Sequence, residues 1–378
     1  MNVIIITDAL TAPLFTPRVR FLNRQLLAEG HSVTWFTERH QAIPPDIRPL
    51  NLIEIPYYTD RKSDRLFKGL LSFIVDHKNR YFAHCILRRV MEGDIAPDIV
   101  FVSTFHTFGL RAGLAVARRY GCPLHIDLRD IAEQTPTNAY SRSFLSGNSL
   151  YRKLSIRRRD TVLRQATTIT TVSKFHKNLL SHINPNTHII YNGYDAAIFH
   201  PAPTANVRRP KTILYTGRWY GERMQDPHPL FRALSGHHDI RLIFYTASDV
   251  HARLRQLAAQ YNVSLELHGY VPNSHIPDLL RNAGIALVLT SPENRGVLTT
   301  KFFEALGTHT PVLCTPSDNG ELADLIRATH SGIASSDDKE ILDFIYHTPE
   351  TAPDAACTFS RQHQTSLLIQ LMRQCCQS

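Results

Sequence analysis

The sequence predicts an α/β protein of two doubly wound domains, each a parallel sheet covered by helices. Three observations carry that prediction. The chain has 378 residues, more than a single hydrophobic core usually organises. Short β-branched apolar runs alternate with stretches of helical periodicity through both halves, the pattern that parallel sheets require. The halves meet at Phe199-His-Pro-Ala-Pro-Thr-Ala-Asn-Val-Arg-Arg-Pro210, whose prolines mark a linker near residue 205.

The elements follow in order. Val3–Thr7 is β-branched and bounded by Asp8, as a buried strand should be. Pro17 opens a helical pattern carried by Val19, Leu22, Leu26 and Leu27 and stopped at Gly30. Ser32–Thr37 completes a strand–helix–strand unit. The theme returns in strands Ile99–Ser103, Leu124–Asp127, Thr167–Thr171 and His188–Tyr191, with helices over Gly109–Tyr120 and Lys174–His182. The second half places strands at Thr212–Thr216, Arg241–Tyr245, Ser264–His268, Ala286–Leu289 and Pro311–Cys314. Helices fall between them over Pro229–Ser235, Val250–Tyr261, Ser274–Asn282 and Thr300–Leu306, with Glu321–Thr329 after the last. Ligands of such sheets bind beyond the carboxyl ends of the strands, so two facing sheets imply a site in an interdomain cleft.

Composition narrows the function classes. Apolar residues make up 43% and charged residues 20%, which excludes a disordered chain. No apolar run reaches the roughly 18–20 residues of a spanning helix, and Met1–Asp8 lacks the form of a signal peptide. The expectation is a soluble cytoplasmic chain. Six scattered cysteines show no CxxC spacing, and no DxD or His/Cys cluster suggests a metal. The formal charge of +9 suits phosphorylated substrates, an anionic membrane or nucleic acid. Nucleic acid is disfavoured, because no RNP, zinc-finger or helix-turn-helix signature is present. Basic and apolar residues interleave over Arg61–Arg89, where Leu66, Phe67, Leu70, Leu71, Phe73 and Ile74 alternate with Arg61, Lys62, Arg65, Lys68, Lys78 and Arg80, and again from Arg152 to Arg164. Each stretch reads as a helix lying on a membrane surface or as an ordinary solvated helix face.

Residues with chemical potential cluster at strand ends. Thr216-Gly217-Arg218 offers a glycine that lets backbone approach a ligand and an arginine that can grip a phosphate; Arg223 follows. Thr299 and Thr300 stand where a helix begins, with Lys301 adding a cation and Glu304 about one turn on, able to accept from a diol. A capped helix with exposed Lys301 and Glu304 is the plainer reading of that spacing. In the first half, Thr16-Pro17-Arg18, Ser103-Thr104-Phe105-His106 and Asp127-Leu128-Arg129-Asp130 each follow a strand. Asp127 and Asp130 bracket Arg129, so an internal ion pair is an equal use for one of them.

The ordered set of motifs then becomes recognisable. It comprises the Pro17-Arg18 helix start, Leu27-Ala-Glu-Gly-His-Ser-Val33, Thr170-Thr-Val-Ser173, Ile190-Tyr-Asn-Gly-Tyr-Asp195, Tyr215-Thr-Gly-Arg218, His268-Gly-Tyr-Val-Pro272 and Lys301-Phe-Phe-Glu304-Ala-Leu-Gly-Thr-His-Thr-Pro-Val312. This series, over roughly residues 1–335, resembles the glycosyltransferases of family 4, which have the GT-B fold of two facing Rossmann-like domains. The resemblance implies an N-terminal acceptor-binding domain over 1–203, a nucleotide-sugar-binding domain over 204–356, and a C-terminal helix over 357–378 that crosses back. It implies retaining transfer from a nucleoside-diphosphate sugar to a saccharide or lipid-linked saccharide, without metal or cofactor, in surface polysaccharide biosynthesis. The basic stretches add the expectation of association with the inner face of the plasma membrane.

By position, the family implies that Gly217, Arg218 and Arg223 hold the donor diphosphate and that Tyr270 and Val271 line the base pocket. Thr299, Thr300 and Lys301 would meet the pyrophosphate, and Glu304 the ribose. Asp130 would act near the reacting sugar, with Arg218 and Lys301 as the catalytic cations, while Arg18, His106 and Arg129 would face the acceptor. Two departures stand out. The family's first glutamate falls at Gly296, with Glu293 out of register, and Asp8–Pro17 contains no glycine. Rival readings are a sugar-nucleotide epimerase and a non-catalytic partner subunit; a dehydrogenase is weaker, because no GxGxxG follows the first strand.

Overall fold

The computed structural model describes residues 1–8, 17–39, 49–58, 62–104, 107–133, 149–201, 209–291, 296–349 and 356–377. The chain forms two compact units, the first from Met1–Ile190 together with the segment from Thr365, the second from Tyr191–Gln364.

The first unit holds β1 (Asn2–Thr7), β2 (Ser32–Glu38), β3 (Leu52–Ile55), β4 (Ile99–Thr104), β5 (Leu124–Leu128), β6 (Thr168–Thr171) and β7 (Thr187–Ile189). They form one sheet in the order β3-β2-β1-β4-β5-β6-β7, every neighbour parallel. Its helices are α1 (Pro17–Ala28), α2 (Lys62–Val75), α3 (His77–Glu92), α4 (Leu110–Tyr120), α5 (Ser149–Leu163) and α6 (Lys174–Ser181). The strand period of two divides β1 cleanly: Ile4 and Ile6 enter one core, Val3 and Ile5 the core on the other face. Winding reverses between β1 and β4, which opens a crevice at their carboxyl ends.

The second unit repeats the plan with β8 (Arg209–Thr216), β9 (Arg241–Tyr245), β10 (Leu265–His268), β11 (Ala283–Leu289), β12 (Val312–Thr315) and β13 (Gly332–Ala334). These run parallel in the order β10-β9-β8-β11-β12-β13, so the reversal lies between β8 and β11. Its helices are α7 (His228–Ala233), α8 (His251–Gln260), α9 (Ile276–Asn282), α10 (Thr300–Gly307), α11 (Glu321–Ala328) and α12 (Asp338–Tyr346). Helix α13 (Arg361–Gln377) begins in this unit and ends in the first.

Several expectations change. The basic stretch Arg61–Arg89 is two helices, because Asp76 takes a left-handed conformation at φ 58° and separates α2 from α3. The unit boundary falls at Ile190/Tyr191 where the sequence suggests 203/204. The cause is Tyr194, which is buried against Gly307 and accepts from the Arg361 backbone N–H at 2.7 Å. The returning segment starts at Thr365 where the sequence suggests 357, since Ala356 and Phe359 pack with the second unit's core. Linker residues 202–208 lie outside the described residues.

Candidate functional site

In the second unit the carboxyl end of β8 meets the start of α10. Gly217 has φ 107°, a conformation that glycine alone adopts without strain. A Cβ there would lie 3.0 Å from Cε and 3.2 Å from Nζ of Lys301. The lysine head therefore rests directly against the glycine backbone. On its other side, Nζ stands 5.2 Å from the ring centroid of the buried Tyr215, within reach of a cation–π contact. Thr299 caps α10, its hydroxyl accepting from the Lys301 backbone N–H at 3.4 Å. Burial pulls the Lys301 ammonium below its ordinary range, and Glu304 opposes that shift. Burial likewise pushes the Glu304 carboxyl up, against Lys301 and Arg361. Each group thus has the other as its leading opposing charge, at a helix start whose free N–H groups favour an anion.

The other residues of the second unit that the sequence singles out lie at the ends of neighbouring strands. Gly217 N–H donates to the Tyr245 carbonyl at 2.9 Å, fixing the turn after β8. Arg218 extends toward the β9 side, where it pairs with Asp249 at 2.8 Å while 37% exposed. Tyr270 bonds to Arg218 as well, and the ring of Tyr220 lies 6.0 Å from its guanidinium. An exposed pair of this kind is weak, so an incoming anion can draw the arginine away. Tyr270 is exposed, and Val271 packs on the core beneath. The loop carrying Arg223 is pinned to the end of β11: Asp226 N–H donates to the Thr290 carbonyl at 2.7 Å, and the Ser291 hydroxyl donates to the Arg223 carbonyl. The Arg223 side chain itself is exposed. Thr300 is also exposed and bonds to Glu304.

Sequence reasoning overlooked Tyr215, whose ring backs Lys301, and the Tyr245–His268 stack at 4.7 Å and 18°. Both rings stand on strands read only as core. Alternation along β8 and β9 from Gly217 backward is the signal that could have found them. Gly296, where the family places its first glutamate, has φ 74°. A side chain there would be strained. Glu293 lies outside the described residues.

The first unit offers less. Arg18 is buried, and its guanidinium donates to both carboxylate oxygens of Asp127 at 2.8 and 3.1 Å and to the Ile190 carbonyl at 2.7 Å. The guanidinium expected to face the acceptor is thus engaged in a buried pair. Asp127 also accepts from the hydroxyls of Ser103 at 2.9 Å and Thr170 at 2.8 Å. Burial would raise this carboxyl, but Arg18 and the hydroxyl of Thr170 hold it below the usual carboxylate range. Arg129 is 14% exposed and stands 3.6 Å from Asp8. Next to it, burial and the Asp8 charge push the Asp130 carboxyl up, while Arg129 opposes them. The structure therefore brings Arg129 and Asp130 together with Asp8 after β5. His106 lies outside the described residues. Among the described residues, no three His, Cys, Asp or Glu side chains gather as a metal site would need.

Comparisons with known proteins agree with this geometry. The model of Glycosyltransferase Family 4 matches residues 18–198, nearly the whole of the first unit's contiguous segment. Among curated proteins, no sequence matches the chain. Solved structures match end to end. Sucrose-phosphate synthase from Thermosynechococcus elongatus is 16% identical over 99% of both chains, with a TM-score of 0.70. The lipopolysaccharide outer core galactosyltransferase WaaB is 13% identical over 99% of both chains, with a TM-score of 0.65. UDP-GlcNAc 2-epimerase from Neisseria meningitidis is 12% identical over 99% of this chain and 100% of its own, with a TM-score of 0.57. At such identities the likeness is one of fold. The chain is thus a GT-B-fold protein, two Rossmann-like units in one polypeptide, that resembles the family 4 glycosyltransferases.

Proposed function

We propose that the protein transfers a sugar, with retention, from a nucleoside-diphosphate sugar to a saccharide or lipid-linked saccharide. The observation that carries this reading is the Lys301 ammonium lying against Gly217 at the capped start of α10. A departing diphosphate gains negative charge as the glycosidic bond breaks. A cation and helix-start amides already oriented toward that charge stabilise it without reorganising. Arg218, loosely held by Asp249, and Arg223 would complete the phosphate grip. Tyr270 would cover the base and Glu304 would accept from the ribose hydroxyls. Arg129 and Asp130 would face the acceptor, with Asp130 beside the reacting sugar. Fixed cations do in this scheme what a divalent metal does elsewhere, so transfer should survive a chelator. A place in surface polysaccharide assembly fits a carbohydrate acceptor.

The epimerase reading draws on the same fold and on Gly296, which leaves the sugar end of the pocket without its glutamate. One experiment separates the two. The protein is incubated with UDP-, GDP-, ADP-, CMP- and dTDP-sugars, first alone and then with acceptor saccharides, and products are resolved by NMR. Glycoside formation with the donor's anomeric configuration, dependent on acceptor, supports the proposal. An altered donor sugar without acceptor supports the epimerase. Donor-induced stabilisation with no product of either kind supports a non-catalytic subunit.

A further inference from the structure

The Arg218 guanidinium is surrounded by side chains from three neighbouring strands of the second unit. Strands β8, β9 and β10 lie side by side in the sheet, and each supplies one of these residues beyond its carboxyl end. Tyr220 follows β8 and is 41% exposed, Asp249 follows β9 and is 57% exposed, and Tyr270 follows β10 and is 58% exposed. The backbone that carries Arg218 is fixed. Its carbonyl accepts from the Tyr215 hydroxyl at 2.8 Å, Trp219 N–H donates to the Thr246 hydroxyl at 3.2 Å, and Tyr220 N–H donates to the Gln225 side chain at 2.8 Å. The guanidinium donates from Nη2 to Oδ2 of Asp249 at 2.8 Å, with Tyr270 bonded to it and the Tyr220 ring 6.0 Å away. A planar donor group thus stands beside two aromatic side chains and against one carboxylate.

The donors of that planar group indicate what can take its place. Guanine contains a guanidine unit of its own: N1–H and the N2 amino group point outward side by side, as two N–H groups of an arginine do. A carboxylate can accept from both. Adenine and cytosine set an acceptor nitrogen beside their amino group, and uracil flanks its N3–H with two carbonyls. Each of these bases turns a lone pair toward a carboxylate. The tyrosine rings offer stacking that every base shares, so Asp249 is the neighbour that tells the bases apart. The exposed Arg218–Asp249 pair is weak. A donor diphosphate would draw the arginine toward Gly217 and Lys301 and leave the carboxylate to the base.

We propose, resting on the nucleoside-diphosphate reading above, that the donor is a guanosine-diphosphate sugar and that Asp249 accepts from N1–H and the N2 amino group of its guanine. The base then stands where the Arg218 guanidinium stands in the free chain. Isothermal titration calorimetry of the intact chain with GDP, IDP, UDP, ADP and CDP tests this without any acceptor. GDP should bind about tenfold more tightly than UDP, ADP or CDP, with IDP, which lacks the N2 amino group, in between. Asp249→Asn should bring the GDP-to-UDP ratio down from about tenfold to about one. The ratio isolates the base, because releasing Arg218 from its carboxylate affects every nucleotide alike. Asp249 is exposed, so an unchanged melting temperature should accompany the loss. Affinities that agree across the bases within about twofold, tighter binding of another base, or a GDP preference that survives Asp249→Asn would overturn the guanine assignment. Each of those results leaves the nucleoside-diphosphate reading standing. A folded chain that binds none of the five would overturn both.

Discussion

Arg18 and Lys301 are each the second residue of a helix that follows a central strand, α1 after β1 in the first unit and α10 after β11 in the second. Their surroundings differ. Arg18 gives three hydrogen bonds, two of them to a carboxylate that also accepts from two hydroxyls. Lys301 lies against a glycine and an aromatic ring, with Glu304 as its opposing charge. A buried charge is stable when its hydrogen bonds are complete. Among the described residues, Lys301 has Glu304 as its opposing charge, the condition expected of a group kept for a ligand. The comparison teaches that burial of a cation at a strand end does not by itself mark a binding residue. The completeness of its partners does.

The sharpest way to break this comparison is Lys301→Ala, which should lower kcat by about 10²–10³ while the protein stays folded. Wild-type turnover would remove Lys301 from the chemistry. The pH profile adds a signed test. Burial holds the Lys301 ammonium below its ordinary 10.5, so activity that needs the charged form declines at a pH below that value. Lys301→Arg should shift that alkaline limb upward. The same depression means that stability rises with pH between the lowered value and 10.5, a slope that Lys301→Met should flatten.

Asp127→Asn probes the closed counterpart. It leaves Arg18 buried against a neutral amide, and a loss of about 3–5 kcal/mol is expected in denaturant unfolding. Because the Asp127 carboxyl is depressed when folded, its contribution is present above its ordinary 3.8 and is lost as pH falls through the lowered value. A variant as stable as the parent at neutral pH would show that the pair is not structural. The smallest effect belongs to Gly217→Ala. Strain at φ 107° should cost about 1 kcal/mol. The displaced lysine head should lower kcat/KM about tenfold, and equal kinetics would detach the glycine from the site.

Much of the fold was legible because buried parallel strands are written as β-branched runs. What escaped was short or locally polar. Strand β3 alternates Leu52-Ile-Glu-Ile55 beside segments without a clear period, and β13 is only Gly332-Ile-Ala334. Helix α12 is announced only by its cap, where the Asp337 carboxylate accepts from the N–H groups of Lys339 and Glu340. At the site, Lys301 and Gly217 were legible separately, but their contact spans a long sequence separation that spacing cannot reveal. The pairing of Arg18 escaped for the same reason, since Asp127 lies 109 residues away. Gly296 read as a missing glutamate, and the sequence gives no sign that its backbone is left-handed.

Helix α13 has a consequence for how this chain is made. Leu368, Ile369, Met372 and Cys375 are buried in the first unit's core beside Val3, Ile5 and Trp35. A ribosome delivers the N-terminal strands first and these four side chains after the whole second unit. Until they arrive, one face of the first sheet lacks part of its cover, although its strands can already pair. Synthesis therefore imposes an order in which the unit begun first is finished last.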